Sequence, residues 1–254
     1  MSTGASQYDT IVVGGGIAGL TAAAYLSREG RHVLLIEKND ECGGLVSTFT
    51  HNGFRFDAGV RALEDAGIIF PMLQDLGIPL EVVKSPVSVG VEKEILHIRD
   101  HESLQDYRDM LARIYPESAE EIDAVIALIR KIMKYMDVLY GVENPVFKDL
   151  KQDRDFLMKQ LLPWLPKFLF TVRKINRLST PVEDTLESII GNPSLRDIIA
   201  QHFFRGTPTF FALSYFSLYL DYFYPRGGVG RLAEVLTDKV RALGGEIRTG
   251  TTVT

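Results

Sequence analysis

The sequence predicts an α/β fold interrupted by a mainly helical insertion, and three observations predict it. Residues 9–37 read as an apolar strand, a glycine-rich turn, an alanine-rich helix and a second apolar strand. From Glu102 onward the chain keeps a helical pattern for most of its middle. A strand-to-helix pattern then returns at Tyr224–Leu243 and runs into a last extended stretch, Glu246–Thr249.

The first element, Asp9–Val13, has the unbroken apolar run expected of a buried parallel strand. Gly14-Gly15-Gly16-Ile17-Ala18-Gly19 follows, then a helix over Leu20–Arg28 and a strand over His32–Ile36 that ends in Glu37. This is the G-x-G-x-x-G dinucleotide fingerprint in its full strand–helix–strand context. Gly14 permits a tight turn. Gly16 lets backbone N–H groups approach a pyrophosphate at the positive end of the helix dipole. Gly19 lets helix and strand pack closely, and Glu37 is placed to accept hydrogen bonds from both ribose hydroxyls of an adenosine.

A loop from Lys38 ends in the doublet Gly43-Gly44. Two short extended runs within Val46–Asp57 flank the turn signal His51-Asn52-Gly53. Ile68–Leu76 reads as a helix stopped by Gly77, with Pro71 tolerable only in the first turn. Val82–Ile98 alternates like a hairpin or meander. The clearest helix is Glu117–Leu139, where Ile122, Val125, Ile126, Ile129, Ile132, Met133 and Met136 form one stripe at helical spacing.

Composition narrows the class. With 46% hydrophobic and 24% charged residues the chain has ample core material, and its net charge of -5 gives no reason to expect nucleic acid. A polar stretch at Met1–Tyr8 predicts no signal peptide. The single cysteine, Cys42, excludes an internal disulfide and a multi-cysteine zinc site, so a cytoplasmic chain is expected. No metal-binding or Ser-His-Asp constellation stands out. No apolar run is long enough to span a bilayer; the nearest, Phe156–Val172, is broken by Lys159, Pro163, Pro166 and Lys167.

Three further features carry two readings each. Residues 203–224 hold 10 of the 25 aromatics, which suits either the wall of a cavity for a long apolar molecule or an ordinary helical core. His202 beside Phe203-Phe204 either faces such a cavity or is a core histidine. Residues 148–177 interleave eight Lys and Arg with apolar residues, as in a membrane-interface segment or in a helix pair with a solvated face.

Gly14-x-Gly16-x-x-Gly19, Glu37, Gly43-Gly44, Phe56-Asp57-x-Gly59 and Pro225-x-Gly227-Gly228, in this order, resemble flavoproteins of the phytoene desaturase and amine oxidase superfamily, retinol saturase-like proteins included. The resemblance runs from residue 9 to 254, although residues 86–200 match only in general character. It implies FAD, held by Gly14, Gly16, Ile17, Ala18, Gly19, Glu37, Lys38, Gly43 and Gly44. It also places Asp57, Gly59, Arg226, Gly227 and Gly228 by the flavin, with Gly59 giving the ring room and Arg226 adding positive charge. Ser47 or Thr48 is expected to donate to the pyrophosphate region. The implied layout is an FAD-binding domain over 1–85, a cap or substrate domain over 86–220, and a return to the first domain over 221–254.

The implied reaction is hydride transfer between a C–C bond of an apolar, isoprenoid-like substrate and flavin. An amine-oxidase-like enzyme and a non-catalytic FAD-binding or partner-binding fragment are the alternatives. Two departures are visible. Leu45 stands where the doublet is often followed by arginine, and the chain has no Gly-Asp dipeptide, the motif that ends such proteins. The resemblance therefore implies the N-terminal half of such an enzyme. Its expected partners are a second polypeptide or another copy, the apolar substrate and a membrane surface.

Overall fold

Strand β1 (Thr10–Val13), helix α1 (Ile17–Arg28) and strand β2 (Val33–Ile36) open the structure, a computed structural model that describes residues 7–254. A hairpin of β3 (Thr48–His51) and β4 (Phe54–Asp57) follows, then β5 (Leu63–Glu64), α2 (Ile69–Asp75) and β6 (Val82–Lys84). Pro71 is the third residue of α2, where no helical partner is lost. Asn52 and Gly53 both take positive φ at the hairpin turn, the conformation a two-residue loop demands.

The middle of the chain holds the hairpin β7 (Val87–Val91) and β8 (Glu94–Ile98), α3 (Ser103–Ile114) and α4 (Ala119–Leu139). Next come α5 (Arg154–Phe156), a π-helical turn over Leu157–Leu161, and α6 (Leu162–Ile175). Four shorter helices complete it: α7 (Val182–Glu187), α8 (Pro193–Ala200), α9 (Thr209–Leu213) and α10 (Tyr215–Leu220). The chain ends with β9 (Tyr222–Pro225), α11 (Gly230–Ala242) and β10 (Glu246–Arg248). These elements form two units, one from the residues up to Ser85 with Phe223–Thr254, the other from Pro86–Tyr222.

In the first unit β1, β2 and β10 make a parallel sheet in the order β1-β2-β10, with Ile11 opposite Leu34 and Ile247 opposite Leu35. Helices α1 and α11 pack together, burying Leu20, Ala23 and Ala24 from one and Leu232, Leu236 and Val240 from the other. The expectation of a fully buried first strand fails. Ile11 is 57% exposed and Val13 64% exposed, because β1 lies at the edge of the sheet and only its Thr10 and Val12 side is covered. The reading of Val82–Ile98 as one hairpin or meander is also corrected. β6 pairs antiparallel with β9, Val82 opposite Pro225, and only β7 and β8 form the hairpin. A strand pattern gives alternation but not the partner.

The second unit has its own core. All seven apolar residues of the α4 stripe are buried, and all but Met136 lie in this core. Tyr107, Tyr215 and Phe216 are its largest fully buried side chains.

Candidate dinucleotide-binding site

The site is built on the turn between β1 and α1. Gly14 has φ +102°, so a side chain there is strained, and its N–H donates to the Ile36 carbonyl at 2.7 Å. Gly16 caps α1 with φ −69° and ψ 176°, a conformation any residue adopts. What sets Gly16 apart is space, since a Cβ there would meet no atom within 4 Å. Gly19 is the opposite case: its Cβ would lie 1.9 Å from the Gly14 carbonyl oxygen.

Helix α1 begins at Ile17 with no side-chain cap and no acid in its first turn. The N–H groups of Ile17, Ala18 and Gly19 therefore have no intrahelical acceptor and converge with the positive end of the helix dipole on the open side of Gly16. That arrangement fits a pyrophosphate.

Glu37, at the end of β2, is buried. One carboxylate oxygen accepts from the Gly15 N–H at 2.6 Å, and the other from the Asn39 N–H at 2.9 Å and side-chain amide at 2.8 Å. The Asn39 N–H bond holds its pKa below the usual carboxylate value, against the opposing effect of burial, with help from Gly15 and the charge of Lys38. A carboxylate offers about four acceptor positions, and three are taken. One ribose hydroxyl can be added directly; a second requires the Asn39 amide to withdraw. Lys38 is exposed.

The second glycine loop lies against the first. Gly43 N–H donates to the Gly15 carbonyl at 2.8 Å, Gly43 forms a parallel bridge with Gly16, and a Cβ on Gly44 would sit 3.5 Å from Gly16 Cα. Both Gly43 and Gly44 have positive φ. Two backbone segments thus meet at one helix N-terminus with no side chain between them.

Several predicted residues have structural work instead. Asp57 accepts from the Thr48 hydroxyl at 3.0 Å, the Val229 N–H at 3.1 Å and the Tyr224 hydroxyl at 2.7 Å, tying the hairpin to the start of α11. Thr48 also accepts from the Gly230 N–H at 2.9 Å, so it is not the pyrophosphate donor expected of it. Ser47 donates to the Gly44 carbonyl at 2.9 Å. A Cβ on Gly59 would meet the Leu45 carbonyl oxygen at 2.6 Å, so the glycine makes room for the Leu45 backbone. Arg226 pairs with Glu81 at 2.5 Å, so its charge is partly spent locally. Gly227 and Gly228 both have positive φ, and Gly228 abuts Thr48. Sequence reasoning missed Asn39, Thr48 and Tyr224 as the fixings of this site. The first is legible as an Asx residue two positions after the acid; the other two act across long sequence separations. Burial pushes the Cys42 thiol pKa up, which suits a packing residue rather than a nucleophile.

In the second unit His202 is packed within the aromatic cluster. Its ring stacks on Tyr215 with centroids 4.1 Å apart and 12° between planes, and Nδ1 lies 2.8 Å from the Tyr219 hydroxyl. Burial pushes its pKa down from 6.5 to about 4, so it is neutral at neutral pH. The unfolded chain then binds a proton that the folded one refuses, and stability falls as pH drops from about 6.5 toward 4. His202→Phe keeps the stack and loses the Tyr219 bond. It is expected to melt slightly lower at neutral pH and to flatten the decline across that window. An unchanged acid slope in thermal melts would remove His202 as its source. Of the other aromatics, Phe216 is fully buried while Phe204 is 89% exposed, so the stretch is part core and part surface.

Comparison with known proteins agrees with this geometry. Residues 12–76 match the NAD(P)-binding Rossmann-like domain family. The chain is 24% identical to the all-trans-retinol 13,14-reductase of Danio rerio, over 94% of this chain and 40% of that protein. It is 27% identical to the carotenoid 3,4-desaturase of Haloarcula japonica, over 94% of this chain and 48% of that protein. A solved oxidoreductase from Methanosarcina mazei superposes with a TM-score of 0.62 at 19% identity, covering 94% of this chain and 50% of that one. The chain spans less than half the length of these two curated relatives. Along most of its length the chain is similar to retinol reductases and carotenoid desaturases, and it is built on a Rossmann-like fold.

Proposed function

We propose that this chain is the FAD-binding part of an oxidoreductase that moves hydride between a C–C bond of an apolar isoprenoid or carotenoid-like molecule and flavin. The observation that carries the cofactor assignment is the contact between Gly15–Gly16 and Gly43–Gly44. A dinucleotide whose pyrophosphate rests on the α1 N-terminus extends past a second loop that bears no side chains, as a long ribityl chain requires. The names of the relatives support the substrate class, since both reductase and desaturase act on conjugated apolar chains.

The residues present fit the group. Ile17, Ala18 and Gly19 N–H would hold the pyrophosphate, Glu37 the adenosine ribose, and the Gly43-Gly44 loop would pass close to the ribityl chain. FAD supplies the hydride acceptor; this chain supplies position and the field of the helix terminus. Glu37, ionised and buried, also fixes the turn from which the N–H groups project. Asp57 and Thr48 hold the hairpin against α11, keeping the second side of the site in place.

The test is a visible spectrum of the purified chain after incubation with FAD, with titration by fluorescence quenching and NADP in parallel. Saturable FAD binding with a shifted flavin band is expected. A folded chain that binds NADP and ignores FAD would replace the flavin assignment with a nicotinamide one.

A further inference from the structure

We infer that the Asn39 side chain is an internal competitor for the adenosine ribose, holding an acceptor position on Glu37 that a second ribose hydroxyl would take. The inference rests on the reading of Glu37 as the ribose acceptor; it does not depend on which dinucleotide fills the site. Glu37 Oε1 accepts twice from the same residue, from the Asn39 N–H at 2.9 Å and from Nδ2 at 2.8 Å. Oε2 accepts from the Gly15 N–H at 2.6 Å. Each carboxylate oxygen has about two acceptor positions, so Oε1 is full and Oε2 keeps one place for a ligand. A ribose diol offers one donor to each oxygen. The Asn39 amide stands between Oε1 and the second of them.

The two bonds from Asn39 differ in how they break. The backbone is fixed from β10 and the turn after it. Gly250 N–H donates to the Asn39 carbonyl at 2.8 Å, Thr251 N–H donates to the Glu37 carbonyl at 3.0 Å, and Glu37 N–H donates to the Arg248 carbonyl at 2.8 Å. The Asn39 N–H therefore stays on Glu37 whatever occupies the site. The amide has no such restraint: its one hydrogen bond among the described residues is to Glu37. Asn39 is exposed, so water takes over the amide when the side chain turns away. In the empty site the amide has a use, because a buried carboxylate oxygen left with an open acceptor is costly. A second hydroxyl then has to displace a charge-assisted bond instead of meeting a bare oxygen, and the gain from it shrinks by the strength of that bond.

The experiment is calorimetric titration of the full chain and of its Asn39→Ala variant with ADP, 2′-deoxy-ADP and 3′-deoxy-ADP, the deoxy ligands carrying a single ribose hydroxyl. Asn39→Ala is expected to bind ADP about fivefold more tightly than the parent, the strength of one exposed hydrogen bond. Each deoxy ligand should bind the two proteins alike, because a single hydroxyl needs only the free place on Oε2. Circular-dichroism melts without ligand should show the variant folded, since Asn39 is exposed and its backbone bond to Glu37 is kept. Equal tightening for all three ligands would mean that the substitution acts through the loop and not through the second hydroxyl, and overturns the inference. Unchanged or weaker ADP binding by Asn39→Ala overturns it too, and leaves Glu37 as the ribose acceptor. ADP bound by neither protein, or bound no worse by Glu37→Gln than by the parent, is the separate result that removes the ribose reading itself and the inference with it.

Discussion

Gly16→Ala is expected to leave the fold intact and remove dinucleotide binding, whereas Gly19→Ala is expected to damage both. The two glycines are three residues apart, but what surrounds them differs. A methyl at Gly16 meets no protein atom within 4 Å, and its backbone is in an extended region open to alanine. Such a change typically stabilises by about 0.4–1 kcal/mol through the unfolded state. The same methyl occupies the space through which a pyrophosphate would reach the N–H groups of α1, and affinity should fall at least tenfold. At Gly19 the methyl would lie 1.9 Å from the Gly14 carbonyl oxygen and 3.4 Å from Val12 Cγ1. Backbone cannot rotate away, so α1 must lift from β1 at a cost of roughly 3 kcal/mol. Thermal melts with FAD titrations separate the pair. Wild-type affinity in Gly16→Ala would mean that the pyrophosphate does not approach the backbone there.

Glu37→Gln tests the other half of the site. Both carboxylate oxygens accept from N–H donors, one from Gly15 and the other from Asn39. Whichever way a glutamine amide is turned, its NH2 faces a backbone N–H, so a donor is left opposing a donor in a buried place. A loss of about 1–3 kcal/mol at neutral pH is expected. The sign of the pH dependence follows from the lowered pKa. The folded value lies below the ordinary 4.5, so the stabilisation is complete above that value and is lost as pH falls through the folded one. The gap between parent and variant in urea unfolding should therefore be widest near neutrality and close in acid. A gap that stays constant with pH would show that the charge on Glu37 contributes nothing. FAD affinity should also fall, since the turn that presents the Gly15–Gly19 backbone loses its anchor.

The sequence by itself determined the local chemistry of this protein. The glycine spacing, the acid ending β2, the hairpin turn at Asn52-Gly53 and the α4 stripe are all short-range patterns, written in φ preference and in helical or strand period. Their positions in the structure follow those patterns to within a residue or two. What only the tertiary structure decided is which group meets which across long separations. Asp57, expected beside a ring, is bound by Thr48, Tyr224 and Val229, residues up to 172 positions away. Gly59 is a glycine because Leu45 is there, and Arg226 faces Glu81. β1 reads as a buried strand because its residues are apolar, yet burial depends on a neighbour that strand composition does not specify. Periodicity encodes the faces of an element; the partner of each face is fixed only when distant segments of the chain are packed together.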